Sequence, residues 1–174
     1  MGELDVRILT ELFGGPEVAA ILTPQWKGGL YYAVQSRKAV TPAQQAATSS
    51  VALLYLSAWR SEGAAKEFAK VYARELNKKY SGVLRDSAEE TTSDEQVYNG
   101  SEGPILIVRQ GKQVFVSESF DPTTARKLQF LFFGAQQTRE TQRAARAVPP
   151  PDELNAHLTR LMASCGMLKA SLRH

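Results

Sequence analysis

The spacing of apolar residues along the chain alternates between a helical rhythm and a strand rhythm. Leu4, Ile8 and Leu12 recur every four residues with Leu9 and Phe13 beside them, which predicts an amphipathic helix over 3–13. Gly14-Gly15 ends it, and Pro16 opens a second short helix at a position where its missing N–H costs nothing. Val18, Ile21 and Leu22 supply the buried side of that helix, and Thr23-Pro24 stops it. Trp26-Lys27-Gly28-Gly29 reads as a turn into a Tyr- and Val-rich strand from Leu30 to Ser36, with Trp26 plugging the end of the core. The small, polar stretch 41–50 reads as a loop. Residues 51–59 are apolar on both alternating faces, with Val51, Leu53, Tyr55 and Trp59 on one and Ala52, Leu54, Leu56 and Ala58 on the other. A strand apolar on both sides belongs in the middle of a covered sheet.

Further along, Ser61 is placed to cap a helix in which Phe68, Tyr72, Leu76 and Tyr80 recur every four residues, ending near Ser81-Gly82. A short strand is expected at 83–86. The acidic run 86–96 reads as a loop, Val97-Tyr98 as a brief strand, and Asn99-Gly100 as a turn. Residues 105–109 and 112–117 flank Gln110-Gly111 as a β-hairpin. Asp121-Pro122 then caps and opens a helix whose Leu128, Phe130, Leu131, Phe132 and Phe133 make it apolar around most of its girth. Pro149-Pro150-Pro151 is a stiff break. After it, Leu154, Leu158, Leu161, Met162, Cys165, Leu168 and Leu172 form one stripe on a last helix, which must cover an apolar surface of its own domain, a sister chain or another segment. Strands that neighbour one another in sequence favour an α+β fold: a mainly antiparallel sheet with helices packed on it, over 1–147, followed by the proline break and a docking helix over 148–174.

Composition changes this picture little. With 174 residues, 43% of them hydrophobic and 22% charged, the chain can bury an ordinary core. A net charge of +3 is too balanced to argue for nucleic acid. The late basic residues, Arg126 to Arg173, read as a solvated helix face. Cys165 is the one cysteine, so no intrachain disulfide and no Cys-rich zinc site can form; His157 and His174 supply a His-based metal centre poorly. Neither a metal nor a cofactor is expected. No run approaches a membrane span. Met1-Gly2-Glu3 lacks the regions of a signal peptide, so either the protein is cytoplasmic or Met1 begins a segment cut from a longer chain.

The sequence carries no nucleophile elbow, no zinc-binding H-E-x-x-H, no Walker A loop and no dinucleotide fingerprint. Cys165 and His157 lie eight residues apart, about 12 Å along a helix, too far for a nucleophile–base pair. Glu89, Glu90, Asp94 and Glu95 lack the alternating spacing of a calcium loop. The best ligand candidates are aromatic: Trp26, Tyr32, Tyr55 and Trp59, with Tyr31 beside them, which could line a groove at strand ends or simply fill core and sheet.

Gly2-Glu3, the apolar helix, Ala19-Ala20 and QWKGGLYYA together resemble a pattern in uncharacterised bacterial and archaeal proteins, some expected to be secreted or surface-attached. In that pattern Trp-x-Gly-Asp precedes a Tyr-containing strand. SAWRSEGAAKEFAKVYARELNKKY is similar to its next strand and helix, and RQGKQVFVSESFDPTTARKL to its closing hairpin and helix. Position 29 is Gly here where the pattern tends to have Asp, so no role of that Asp carries over. The resemblance implies an accessory domain, often downstream of another module, with no established activity and no catalytic residue; it would place the chain outside the cytoplasm. The expected function is a non-catalytic accessory or protein-interaction domain, with a docking or self-association helix through Leu154, Leu158, Leu161, Met162 and Leu168. The rival is a small-molecule-binding domain or enzyme with an aromatic-lined pocket, and a nucleic-acid binder ranks behind both.

Overall fold

A computed structural model describes residues 2–36 and 39–145, with 135–145 as helical backbone. Helices α1 (Glu3–Gly14) and α2 (Pro16–Leu22) lead through a 3-10 turn into strand β1 (Trp26–Gln35). A short helix α3 (Pro42–Ala46) precedes β2 (Val51–Trp59), which is followed by α4 (Glu62–Arg74) and α5 (Leu76–Lys79). Then come β3 (Leu84–Arg85), β4 (Glu95–Gly100), β5 (Gly103–Gln110), β6 (Gln113–Glu118) and α6 (Pro122–Ala145). The strands form one six-stranded sheet in the order β1-β2-β6-β5-β4-β3. Every pairing is antiparallel, so the fold is α+β.

Strand alternation divides the core into two layers. On one face Tyr55, Trp59, Ile105, Ile107, Val114 and Val116 pack against Val6 of α1, Leu22 of α2 and Ala65, Phe68 and Ala69 of α4. On the other, Ala52, Leu54, Leu56, Leu106, Val108 and Phe115 meet Ala125, Leu128, Phe132 and Phe133 of α6. Trp59 stacks on Phe68 with ring centres 4.7 Å apart, and Phe115 meets Phe132 at 6.0 Å. Burying one such side chain contributes about 2–3 kcal/mol, so both faces are held by the same force. The doubly apolar β2 lies between β1 and β6, as its pattern demanded.

Local signals work where expected. The Ser61 hydroxyl accepts from the Ala64 N–H at 3.1 Å, capping α4. The Asp121 carboxyl accepts from the Thr124 N–H at 2.9 Å and caps α6.

The stretch 41–50, read as a loop, holds the short helix α3 capped by Thr41, and β4 starts at Glu95 inside the acidic run read as a loop; beyond these, the chain departs from its pattern in four places. First, β1 begins at Trp26 and not Leu30, so Gly28-Gly29 lies inside the strand. The register against β2 slips between Trp26 and Gly28, which makes Lys27 the extra residue of a bulge. A Cβ on Gly29 would sit 2.9 Å from the Leu56 carbonyl oxygen, so Gly29 serves close approach and not a turn. Second, the loops after β4 and β5 come later than Asn99-Gly100 and Gln110-Gly111 suggest. Asn99-Gly100 pairs with Pro104 and Gly103, and Gln110 pairs with Gln113. Gly103 and Gly111 instead hold positive φ, of 127° and 57°. Third, the long helix expected from Ser61 breaks at Glu75, after which α5 turns Leu76 into the core.

The fourth departure concerns α1. Its buried side is Val6 and Thr10, while Leu4, Ile8 and Leu12 are 68%, 56% and 70% exposed. Ile21 of α2, expected inside, is 69% exposed. Both faces of α1 carry apolar residues, and periodicity alone did not decide which one meets the sheet. The proline break, the boundary at 148 and the stripe through Leu154, Leu158, Leu161, Met162 and Leu168 lie outside the described residues.

Candidate functional site

The four aromatic candidates do not converge. Tyr55 and Trp59 are 2% and 1% exposed and sit in the core against Phe68. Tyr32 pairs with Leu54, whose side chain points into the α6 layer, so strand alternation puts Tyr32 on the opposite side of the sheet from Tyr55 and Trp59. Trp26, half-buried, packs beside the Tyr55 layer. Its indole N–H acts on the Tyr55 hydroxyl but misses hydrogen-bond geometry, so it is buried without a formed bond. Burial pushes the Tyr55 phenol up to about 12, against a smaller downward pull from Ser57 and Trp26.

The polar centre of the molecule is a residue the pattern did not flag. Glu118, 2% exposed at the end of β6, points into the α4–α5 layer. One carboxyl oxygen, Oε1, accepts from the Tyr72 hydroxyl at 2.6 Å. The other accepts from the Tyr80 hydroxyl at 2.7 Å and from Lys79 Nζ at 2.5 Å. Burial, then the nearby Glu118, holds the Tyr72 phenol well above its usual value, and the same two causes raise Tyr80. Both phenols therefore act as neutral donors, not as phenolate bases or nucleophiles. Immediately after Glu118, Ser119 adopts φ 63°, rare for a residue with a side chain, and turns the chain toward the buried Phe120.

Tyr72 and Lys79 also form the polar side of a cleft between α1 and α4–α5, whose remaining walls include Leu9, Phe13, Phe68 and Val71. It has room for about 40 Å³, enough for a few waters and too little for a metabolite. At its rim, hydrogen bonds from Lys78 and Arg74 hold the Glu75 carboxyl below the usual range.

A second buried acid occupies the other face. Glu95, 3% exposed, accepts from Arg126 of α6 through Nε at 3.1 Å and Nη2 at 2.9 Å, and its other oxygen takes the Thr91 hydroxyl. Arg126 also donates to the Glu89 carbonyl, so the acidic segment 86–94 is tied to α6. The carboxylates considered for calcium are thereby spent: Glu90 pairs with Arg85 at 2.7 Å and Asp94 with Arg109 at 2.5 Å. Among the described residues no group of three or more His, Cys, Asp or Glu is placed to hold a metal ion. None of their helices is long and apolar enough to cross a membrane.

A signal for both acids was present in the sequence. Glu118 shares its parity with Val114 and Val116, and Glu95 with Val97, so each stands at an inward position where a charge requires partners. Those partners come from distant segments. No family model, curated protein or solved structure matches this chain.

Proposed function

We propose that this chain is a non-catalytic accessory domain that acts by binding another protein through its surface. The observation that supports the reading is the α1 strip: Leu4, Ile8 and Leu12 are each more than half exposed, as is Ile21 of α2. Scattered exposed aliphatics are ordinary, but Leu4, Ile8 and Leu12 lie one turn apart on a single helix face, which makes them a continuous strip. The two buried acids favour the same reading, since Glu118 and Glu95 each engage both carboxyl oxygens with donors of the same chain. The leucine stripe through Leu154, Leu158, Leu161, Met162 and Leu168 is a second proposed contact, for a protein partner or self-association.

The rival reading needs Trp26, Tyr32, Tyr55 and Trp59 around one opening, and strand alternation puts Tyr32 on the opposite face from the other three, of which Tyr55 and Trp59 are buried in the core. The test uses a photo-crosslinking residue at position 8 of the full chain expressed in cells. The interaction reading expects discrete higher-mass adducts that disappear when Leu4 and Leu12 are changed to Gln, with folding stability altered by less than about 0.5 kcal/mol. Absence of adducts, or a large loss of stability showing that the strip is core, would overturn it.

A further inference from the structure

The two edges of the sheet are built differently. The β3 edge is two residues long and carries Arg85, paired with Glu90 at 2.7 Å. Short length and charge are the usual ways a protein blunts a strand edge against pairing with another chain. The β1 edge is long, and its charged residue, Lys27, stands in the bulge at its start. It runs ten residues, and the stretch 28–35, GGLYYAVQ, contains no charge and no proline. Among the described residues no strand lies on its outer side. Leu30, Tyr31 and Tyr32 are 41%, 50% and 38% exposed, with Tyr31 on one face of the sheet and Leu30 and Tyr32 on the other.

The ladder phase shows which backbone groups are presented. Ser36 donates to the Ser50 carbonyl at 2.7 Å, continuing the β1–β2 register. Bonding alternates along an antiparallel pair, so Val34, Tyr32 and Leu30 also bond toward β2. Gly29, Tyr31 and Ala33 turn their N–H and C=O groups outward.

We propose that β1 pairs antiparallel with β1 of a second copy of this chain, joining two six-stranded sheets into one across a twofold axis. The proposal rests on the reading that the domain acts through its surface, and assigns a different part of that surface. A second copy is favoured over a foreign strand because the edge complements itself. A twofold axis at Tyr32 sets Tyr31 opposite Ala33 of the other copy, large against small, and joins them by paired N–H···O=C bonds. On the other face Leu30 meets Val34, and Tyr32 meets its twin. A twofold pair sets identical segments against each other, so any charge would face its own like nearby. This stretch has none, and so it also offers no charge pattern to select a different partner.

Sedimentation of the full chain across the micromolar range tests the proposal. A dimer is expected. Ala33→Pro removes an outward N–H that no described strand of the same chain uses, and should weaken dimerisation at least about tenfold while the fold persists, because edge positions tolerate proline. Should Ala33→Pro fail to fold, Tyr31→Lys places two like charges at the junction and is expected to weaken the dimer likewise. Hydrogen exchange gives an independent readout: protection of the Tyr31 and Ala33 amides should rise with protein concentration. A wild-type chain that stays monomeric, or amides whose protection ignores concentration, overturns the proposal. A dimer that survives both edge changes but is lost on replacing Leu4 and Leu12 with Gln overturns it too, while upholding the α1 strip as the contact. Loss of position-8 adducts alone would leave the edge standing.

Discussion

Glu118 and Glu95 lie on opposite faces of one sheet, are equally hidden from water, and are held in different ways. Glu118 is met by two phenols and an ammonium, all from α4–α5 and the segment just after it. Glu95 is met by the fork of Arg126 and a threonine of its own loop. A buried carboxyl must be matched by donors on both oxygens, and either set does that. What differs is what the donors can lose. A phenol can give up its proton at high pH, whereas a guanidinium keeps its charge throughout. The Glu118 site is therefore a lock that alkali can open, and the Glu95 site is one that alkali leaves closed.

Alkaline unfolding separates the two most strongly. The Tyr72, Tyr80 and Tyr55 phenols are all raised in the folded chain. Their stabilisation is complete below the unfolded value near pH 10 and is lost as pH rises through the folded values, at about 1.4 kcal/mol per pH unit for each of the Tyr72 and Tyr55 phenols and by less for the half-exposed Tyr80, which solvent screens. Urea titrations above about pH 10 should show stability falling steeply, less so in Tyr72→Phe, and with unchanged slope in Glu95→Ala. A flat wild-type profile there would contradict the geometry at Glu118.

Glu118→Ala comes next. It leaves two phenols without their acceptor at once, while Lys79 turns to solvent, for a loss of about 3–4 kcal/mol in urea denaturation. Glu95→Ala should cost less, about 2 kcal/mol, because Arg126 reaches solvent and keeps its bond to Glu89. Its signature is local, a rise in hydrogen exchange over 86–94 that Glu118→Ala does not share. The smallest effect is at the entry to α6. Hydrogen bonds from Thr124 keep the Asp121 carboxyl below the usual range, so this cap contributes above that range and is lost as pH falls through its folded value. Asp121→Ala should cost about 1 kcal/mol at neutral pH and remove that acid dependence from thermal melts.

Much of the layered fold was legible because strand and helix periods are local. Residues 51–59 announced a central strand by carrying apolar side chains on both alternating sets, and Ser61 and Asp121-Pro122 announced helix starts through groups that act within three residues. The aromatic pocket failed on the same kind of evidence: Tyr32 and Tyr55 belong to different strands, and only their register puts them on opposite faces. The helix from Ser61 read as continuous because Leu76 and Tyr80 keep its four-residue spacing across the break at Glu75.

By itself the sequence determined most of the helices and strands, and that the sheet would be covered on both faces, because those outcomes follow from side-chain periodicity and from groups a few residues apart. Only the tertiary structure decided which side of α1 is buried, that Glu118 meets Tyr72, Tyr80 and Lys79, that Glu95 meets Arg126, and that β1 stands at the edge of the described sheet. Each of these depends on which strands become neighbours and in what register. That is a matter of long-range packing, and spacing along the chain does not record it.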